Sequence, residues 1–592
     1  MRRLVSLIQV SGVIVLLSGF AAGQSWPQWA LNPQHTGQVP TAGQPLNREL
    51  ADIVYDPLVS QEMAVEQGVL GAHYQVPLID NSSVFMEFKS GTVNKNRYDT
   101  QTWGENGFQW INGQLVQIWS FTSDWKAPGS PGDFWEPVFH GVLANDYLYV
   151  PGAGGTIFKL RKSDGVAVSR INPFPTLDPN IIVAGVLSAD AAGNIYYNAI
   201  QQFNHGGSSF YTHDIVDSWL VKVSPTDGAA KVSYSVLTAP TAPNSLPSPQ
   251  PTDQCLGTFS VKQLPFPPYP DAVPPSSACG HMRPALNAAP AIALDGTIYT
   301  ITRTHLDDGS GRYAGMAAVH PDLTPGWWTS FRDRLNDGCN DDLGTFPGAL
   351  LPANGTPGGC RIGTTPGVDP AQNTRPAARV VDDASSSPTI APDGSILYGS
   401  FTRYDFARGH LLKFSPSGQF MGSYSFGWDS TPAIYEHDNT YSIVIKDNEY
   451  GGGPNFGSYC YDDVLCPPRQ NGPFFITQLD PNLNVEWKFK NTNDQACTRN
   501  PDGSVSCVPN SSGNQWPNVG FEWCINAPVV DEKGVVYANS EDGNLYAINQ
   551  GGTLRANIFL QLALGAAYTP LAIGPDGKIY TENAGHLIVV GQ

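Results

Sequence analysis

The chain has 592 residues, of which only 14% are charged, and it carries 61 glycines and 50 prolines. Long helical bundles and coiled coils are built from Ala, Glu, Lys, Leu and Arg and are excluded by that profile; disorder is excluded by 41% hydrophobic and 11% aromatic residues, enough for a core. A formal charge of −19 with no run of Lys or Arg excludes a surface that displaces counterions from nucleic acid or adheres to an anionic membrane, and the composition fits a turn-rich all-β protein.

In chain order, the first element is a leader. Arg2 and Arg3 precede an apolar stretch from Leu4 to Phe20, and Ala21 and Gly23 stand at −3 and −1 of a cut after residue 23. This predicts a signal peptide over 1–23 and an exported, secreted or periplasmic mature chain over 24–592 without membrane insertion. A tryptophan- and proline-rich segment follows, WPQWALNPQHTGQVP (26–40).

From residue 75 a repeat runs to the end. QVPLIDNSSVFME (75–87), EPVFHGVLANDYLYV (136–150), AGVLSADAAGNIYYN (184–198) and NAAPAIALDGTIYTI (287–301) share small-residue or proline anchors, apolar alternation, a turn and apolar-x-Tyr. SSPTIAPDGSILYGS (386–400), STPAIYEHDNTYSIV (430–444), INAPVVDEKGVVYAN (525–539) and YTPLAIGPDGKIYTE (568–582) complete eight units. Each reads as a β-hairpin: alternation suits a half-buried strand, and D-G reverses the chain with φ > 0. A second hairpin follows each, as in GHLLKFSPSGQFMGSYSF (409–426) and, more loosely, GQLVQIWSF (113–121); the last, GHLIVVGQ (585–592), stops after one strand. Eight four-stranded antiparallel units predict an all-β, eight-bladed β-propeller, a single domain over 24–592, with 26–40 expected to supply the missing outer strand.

The opening W-P-Q-W-x-x-N-P-Q-H-T-G (26–37) and the alternation P-x-(apolar)-x-x-D-G-x-I-Y … G-x-L-Y-A-I-x-x-x-G resemble the PQQ-like repeats of the quinoprotein alcohol dehydrogenase-like propellers. The resemblance covers essentially the whole mature chain, and the superfamily also holds scaffold members without cofactor. It implies a tryptophan in the second half-repeat that docks the neighbouring blade, a role open to Trp119, Trp327 or Trp328, and Trp487. For an active dehydrogenase it implies PQQ held against a disulfide of adjacent cysteines, and Ca²⁺ held by a Glu/Asn/Asp set for which Glu522, Asn526 and Asp429 are the right types. No Cys-Cys pair and no CxxCH haem motif occurs. No cofactor is therefore expected, PQQ and Ca²⁺ belonging to the alternative reading.

Within a blade A-B-C-D, the A–B and C–D turns share one face of the disk, and the B–C and D–A connections share the other. The long insertions, about 237–286, 332–386, 445–472 and 491–525, are all D–A or B–C connections, as are the shorter 88–112 and 201–216. All surplus chain is thus expected on one face. The cysteines lie in or at the border of these insertions, and local pairing predicts Cys255–Cys279, Cys339–Cys360, Cys460–Cys466 and Cys497–Cys507, with Cys524 left as a buried thiol. Just before strand A, on the inserted face, the pattern places Asp383, Trp428, Asp429, Glu522, Trp523, Asn526 and Tyr568, with Arg283 and Arg379 slightly upstream. Aromatic walls with carboxylates, an amide and arginines suit a small polar ligand or a protein partner. The expected function is a binding module acting through that face; a PQQ/Ca²⁺-dependent oxidoreductase is the alternative.

Overall fold

Eight antiparallel sheets, each with its oldest strand innermost, follow one another around an axis. The innermost strands A are short and apolar: Leu78–Asp80, Val142–Ala144, Ile181–Ala189, Ala291–Ile292, Thr389–Ile390, Ala433–His437, Val529–Val530 and Leu571–Ile573. The computed structural model describes residues 26–65, 75–94, 98–127, 138–203, 215–238, 254–256, 276–285, 287–306, 312–331, 380–381, 386–402, 408–426, 430–448, 473–500, 502–509, 520–523, 525, 527–562 and 570–592. The signal peptide expected over 1–23 lies outside the described residues, and no helix among those described is long and apolar enough to cross a membrane.

Two sequence expectations about strands need correction. The stretch 88–112 is not mainly a connection: strand B of blade one is Ser83–Gly91 and strand C is Gln101–Ile111, so 113–121 supplies only strand D, Gln114–Thr122. Nor does 26–40 supply the outer strand of blade eight. That strand is Arg48–Val54, antiparallel to His586–Gly591, with Arg48 opposite Gly591 and Val54 opposite His586. The physical reason is that Pro27, Pro33 and Pro40 lack the N–H that a ladder needs, and Ala30, Leu31, His35 and Gly37 curl at positive φ.

Instead, residues 26–44 wind once around the axis and meet every blade in turn. Trp26 exchanges backbone hydrogen bonds with Ile79 of blade one (2.8 and 2.9 Å), and Leu143 N–H of blade two donates to Pro27 O. The Gln28 amide pairs with the Ala189 backbone of blade three. Ile292, Ile390, Ile434 and Val530, of blades four to seven, donate their N–H groups to the carbonyls of Pro33, Gln34, Thr36 and Gly37, and Gln44 N–H closes on Gly577 O of blade eight. These contacts fall at the A–B turn end of the inner strands. The segment is a plug on the turn face, with Trp26, Trp29 and Leu31 at most 1% exposed.

The A–B and C–D turns never exceed five residues, and every longer connection leaves from the opposite face. Some of that chain is structured. Ser276–Pro284 prolongs the inner edge of blade four by pairing with strand B (Ile298–Leu306), and Gln254–Leu256 adds to it. Val380–Val381 does the same in blade five. The insertion after blade six carries a hairpin, Gln495–Arg499 with Val505–Pro509, closed by the expected Cys497–Cys507 disulfide between directly opposed residues. Backbone pairing sets Cys255 opposite Ser277, two residues from Cys279, but the side chains of that pair, Cys339–Cys360, Cys460–Cys466 and Cys524 lie outside the described residues.

The blades are joined as the resemblance implies. Trp119 of blade one covers Gly165 in the C–D turn of blade two and donates Nε1–H to Lys162 O at 2.8 Å. Trp327 covers Gly418 and bonds Pro416 O at 2.9 Å, and Trp487 lies over Gly552. Neighbours on a strand face opposite ways. Trp328 therefore turns back toward Tyr196 and Leu220 of blade three, and only Trp327 docks forward.

Candidate functional site

With the turn face plugged, the insertion-bearing ends of strands A and B are where the axis can meet a ligand. Gln75 stands just before strand A of blade one, and His140 just before strand A of blade two. Gln202 ends strand B of blade three (Ile195–Gln202), and Glu582 is next to last in strand B of blade eight (Ile579–Asn583). These four consecutive blades thus each contribute one polar side chain that is no more than 3% exposed. Both amide atoms of Gln75 and Gln202, both carboxyl oxygens of Glu582 and Nδ1 of His140 have no protein partner. An unmade hydrogen bond in such a place costs about 1–3 kcal/mol each. Four together are a considerable sacrifice for packing alone.

At the opposite, turn-bearing end the turn carboxylates are satisfied, while Trp26 Nε1, Trp29 Nε1 and His35 Nε2 of the plug have no hydrogen-bond partner. Asp190 accepts backbone N–H groups from its own turn and the Tyr196 hydroxyl at 2.9 Å. Asp393 takes the Tyr441 hydroxyl at 2.7 Å from the next blade and pairs with Lys413. The D-G turn and the Tyr of the repeat therefore serve the fold.

The chemistry at the inserted end follows from burial. His140 Nε2 lies 3.1 Å from Val76 O, which can only accept, so the proton is on Nε2 and Nδ1 is a bare acceptor. Burial pushes this imidazole down to about 4. Burial likewise pushes Glu582 well above the usual carboxylate range, so it holds its proton and offers O–H. The set is neutral, with donors and acceptors in both amides. Trp29 of the plug meets His140 edge-on, ring centroids 6.2 Å apart.

Inner strand starts are tied to one another. Val138 N–H donates to Asn287 Oδ1 (3.3 Å), Ala289 N–H to Ser387 Oγ (2.9 Å) and Ser387 N–H to Thr431 Oγ1 (2.9 Å). At Gly185, φ is +84° and a Cβ would stand 2.8 Å from Ala288 O, so this close approach of blades three and four requires glycine.

Of the site residues expected from sequence, three are described. Arg283 is fully buried in the strand that prolongs blade four, its NH1 donating to Pro284 O and its backbone opposite the equally buried Arg303. Trp523 is 1% exposed and packs edge-on to Tyr546 at 5.0 Å and tilted to Phe489 at 5.8 Å, a joint between blades six and seven. Glu522 sits beside it, its carbonyl taking the Ser540 hydroxyl at 2.6 Å. Trp428, Asp429, Asn526, Arg379, Asp383 and Tyr568 lie outside the described residues. Gln75, His140, Gln202 and Glu582 were missed by sequence reasoning. A signal existed for Glu582, a carboxylate two places after the repeat's Tyr, where other units put Ile301 or Ser400.

Of the calcium set that the resemblance implies, only Glu522 is among the described residues; Asp429 and Asn526 lie outside them. No two cysteines are adjacent in the chain, and the Trp523 ring is consumed by Tyr546 and Phe489. Among the described residues no three His, Cys, Asp or Glu side chains are grouped to share a metal ion.

The closure of eight four-stranded blades by strands from both chain ends defines an eight-bladed β-propeller with the fold of the quinoprotein alcohol dehydrogenases. A europium-containing methanol dehydrogenase superposes with a TM-score of 0.50 over 95% of this chain and 89% of that one, at 10% identity. A quinohemoprotein alcohol dehydrogenase from Comamonas testosteroni superposes with a TM-score of 0.47 over 96% of this chain and 81% of that one, at 11% identity. At such identities the likeness concerns the fold alone. No family model and no curated protein sequence matches the chain.

Proposed function

We propose that this chain is exported after cleavage behind Gly23 and works as a binding module, taking a small polar molecule or a protein segment at the insertion-bearing face. The observation that supports this best is the contrast between the two ends of the inner strands. One end is plugged and its turn carboxylates Asp190 and Asp393 are paired; the other holds the amides of Gln75 and Gln202, the carboxyl of Glu582 and Nδ1 of His140 buried without partners. A neutral set of donors and acceptors of this kind suits an uncharged polar ligand group, and the surplus chain on that face supplies surface for selection.

Native mass spectrometry of the protein recovered from its producing cells tests the reading. The mature N-terminus is expected at Gln24, with a non-covalent mass that is lost in a Gln75→Leu/Glu582→Leu variant. The melting temperature of that variant should not fall, since its apolar side chains end the unpaired burial. A wild-type protein that carries no added mass and retains no partner overturns the proposal. So does quinone absorbance with dye reduction after reconstitution with PQQ and Ca²⁺, which would favour the oxidoreductase.

A further inference from the structure

A recess lies away from the axis, on the rim of the insertion-bearing face. The hairpin Gln495–Arg499/Val505–Pro509 leans over the outer strands of blades six and seven and encloses a groove of about 500 Å³. That volume is within the range of small-molecule sites. Both walls are fixed. The Cys497–Cys507 disulfide holds the hairpin, and Arg499 ties it to Phe559 O at 3.1 Å and to Glu49 at 2.7 Å on the closing strand. Asn491 and Asn493 anchor its base to Ser540 and Asp542, both at 2.9 Å.

The lining combines two kinds of surface. One is apolar: Phe489, Tyr546 and Phe559, with Leu554 49% and Val505 44% exposed. The other is amide. Asn557 donates Nδ2–H to Asn544 Oδ1 at 3.1 Å, an arrangement that leaves Asn544 Nδ2 as a donor and Asn557 Oδ1 as an acceptor without a protein partner. Among the described residues no carboxylate lines the groove, and Lys490 is the one charged residue that does.

We propose that this groove binds a neutral saccharide. A sugar hydroxyl both donates and accepts, which matches the open positions of Asn544 and Asn557, and the C–H face of a pyranose packs on aliphatic side chains such as the exposed Leu554 and Val505. An apolar ligand would bury those amide atoms unpaired, at about 1–3 kcal/mol apiece. A polyanion would find a single cation. The inference is separate from the axial site, because none of Gln75, His140, Gln202 or Glu582 lines the groove.

The test uses the full mature protein and four neutral probes, maltose, cellobiose, lactose and N,N′-diacetylchitobiose, by calorimetry and ligand-observed NMR, with sialyllactose as the charged comparison. At least one neutral probe is expected to bind with a Kd of about 1 mM or below. Asn557→Ala and Leu554→Arg, both at exposed positions, should each weaken it about tenfold or more without moving the melting temperature. The Gln75→Leu/Glu582→Leu variant should bind as wild type. Absence of binding by all four at roughly 10 mM, binding of sialyllactose alone, or binding that survives both groove substitutions overturns the proposal.

Discussion

At the scale of single residues, burial decides protonation. His35 in the plug is fully buried with one ring nitrogen 2.7 Å from Pro388 O, and burial pushes it, like His140, down to about 4. Glu105 in strand C of blade one is pushed up to about 8 by the same cause. The unfolded chain takes up imidazole protons below about 6.5 that the fold refuses until about 4. The histidine contribution is therefore whole above pH 6.5 and is lost as pH falls toward 4. For Glu105 the sense reverses: the fold keeps a proton that the unfolded chain releases above about 4.5, so stability is whole below that pH and is lost as pH rises toward 8. Urea midpoints across pH should show a decline below 6.5 that is shallower in His140→Asn. Glu105→Gln should stabilise by a few kcal/mol at pH 8 and by little at pH 4.5. Leucines show the same dominance of packing over local preference. Leu323 and Leu483 adopt φ of 68° and 67° in C–D turns, held there because both pack against a neighbouring blade.

At the scale of elements, the weakest joint of any ring is where the chain ends meet, and here two devices secure it. The ladder of Arg48–Val54 on His586–Gly591 joins the chain ends within blade eight. Just beyond it, Lys89 of blade one reaches Asp56 at 2.6 Å and Glu62 at 3.4 Å, with Lys89 and Asp56 side chains wholly buried. Removing one member of a buried ion group leaves the others uncompensated, at about 3–5 kcal/mol. Lys89→Met should lower stability by that amount in equilibrium unfolding, and Lys89→Met/Asp56→Leu/Glu62→Leu should regain most of it. The repeat made the hairpins legible, since D-G, the proline anchor and apolar-x-Tyr each have a local cause. Blade one was read less well. Its strand C, QTWGENGFQWI, carries Gly, Glu and Asn where other units are apolar, and it is a strand because Gly104 and Gly107 admit Phe88 and Trp119 across the sheet.

At the scale of the whole molecule, residues 26–44 turn eight separate sheets into one closed body. Burying Trp26, Trp29, Leu31 and Val39 contributes roughly 8 kcal/mol before any hydrogen bond is counted. Trp29→Ala should therefore destabilise by about 3–5 kcal/mol. A chain beginning at residue 45 should lose its cooperative thermal transition in calorimetry, because every blade loses the same neighbour. Sequence alone determined the number of blades, the face that bears the insertions and the Cys497–Cys507 link, because each depends on contacts close in the chain or on a pattern repeated eight times; between Trp327 and Trp328 the structure chose. Tertiary structure alone decided that Arg48–Val54 and not 26–40 closes the ring, that the proline-rich segment plugs the axis, and that Gln75, His140, Gln202 and Glu582 are buried without partners. Those outcomes join residues up to 543 positions apart, as Arg48 is from Gly591. They arise only when the ring closes and brings the inner strands around one axis.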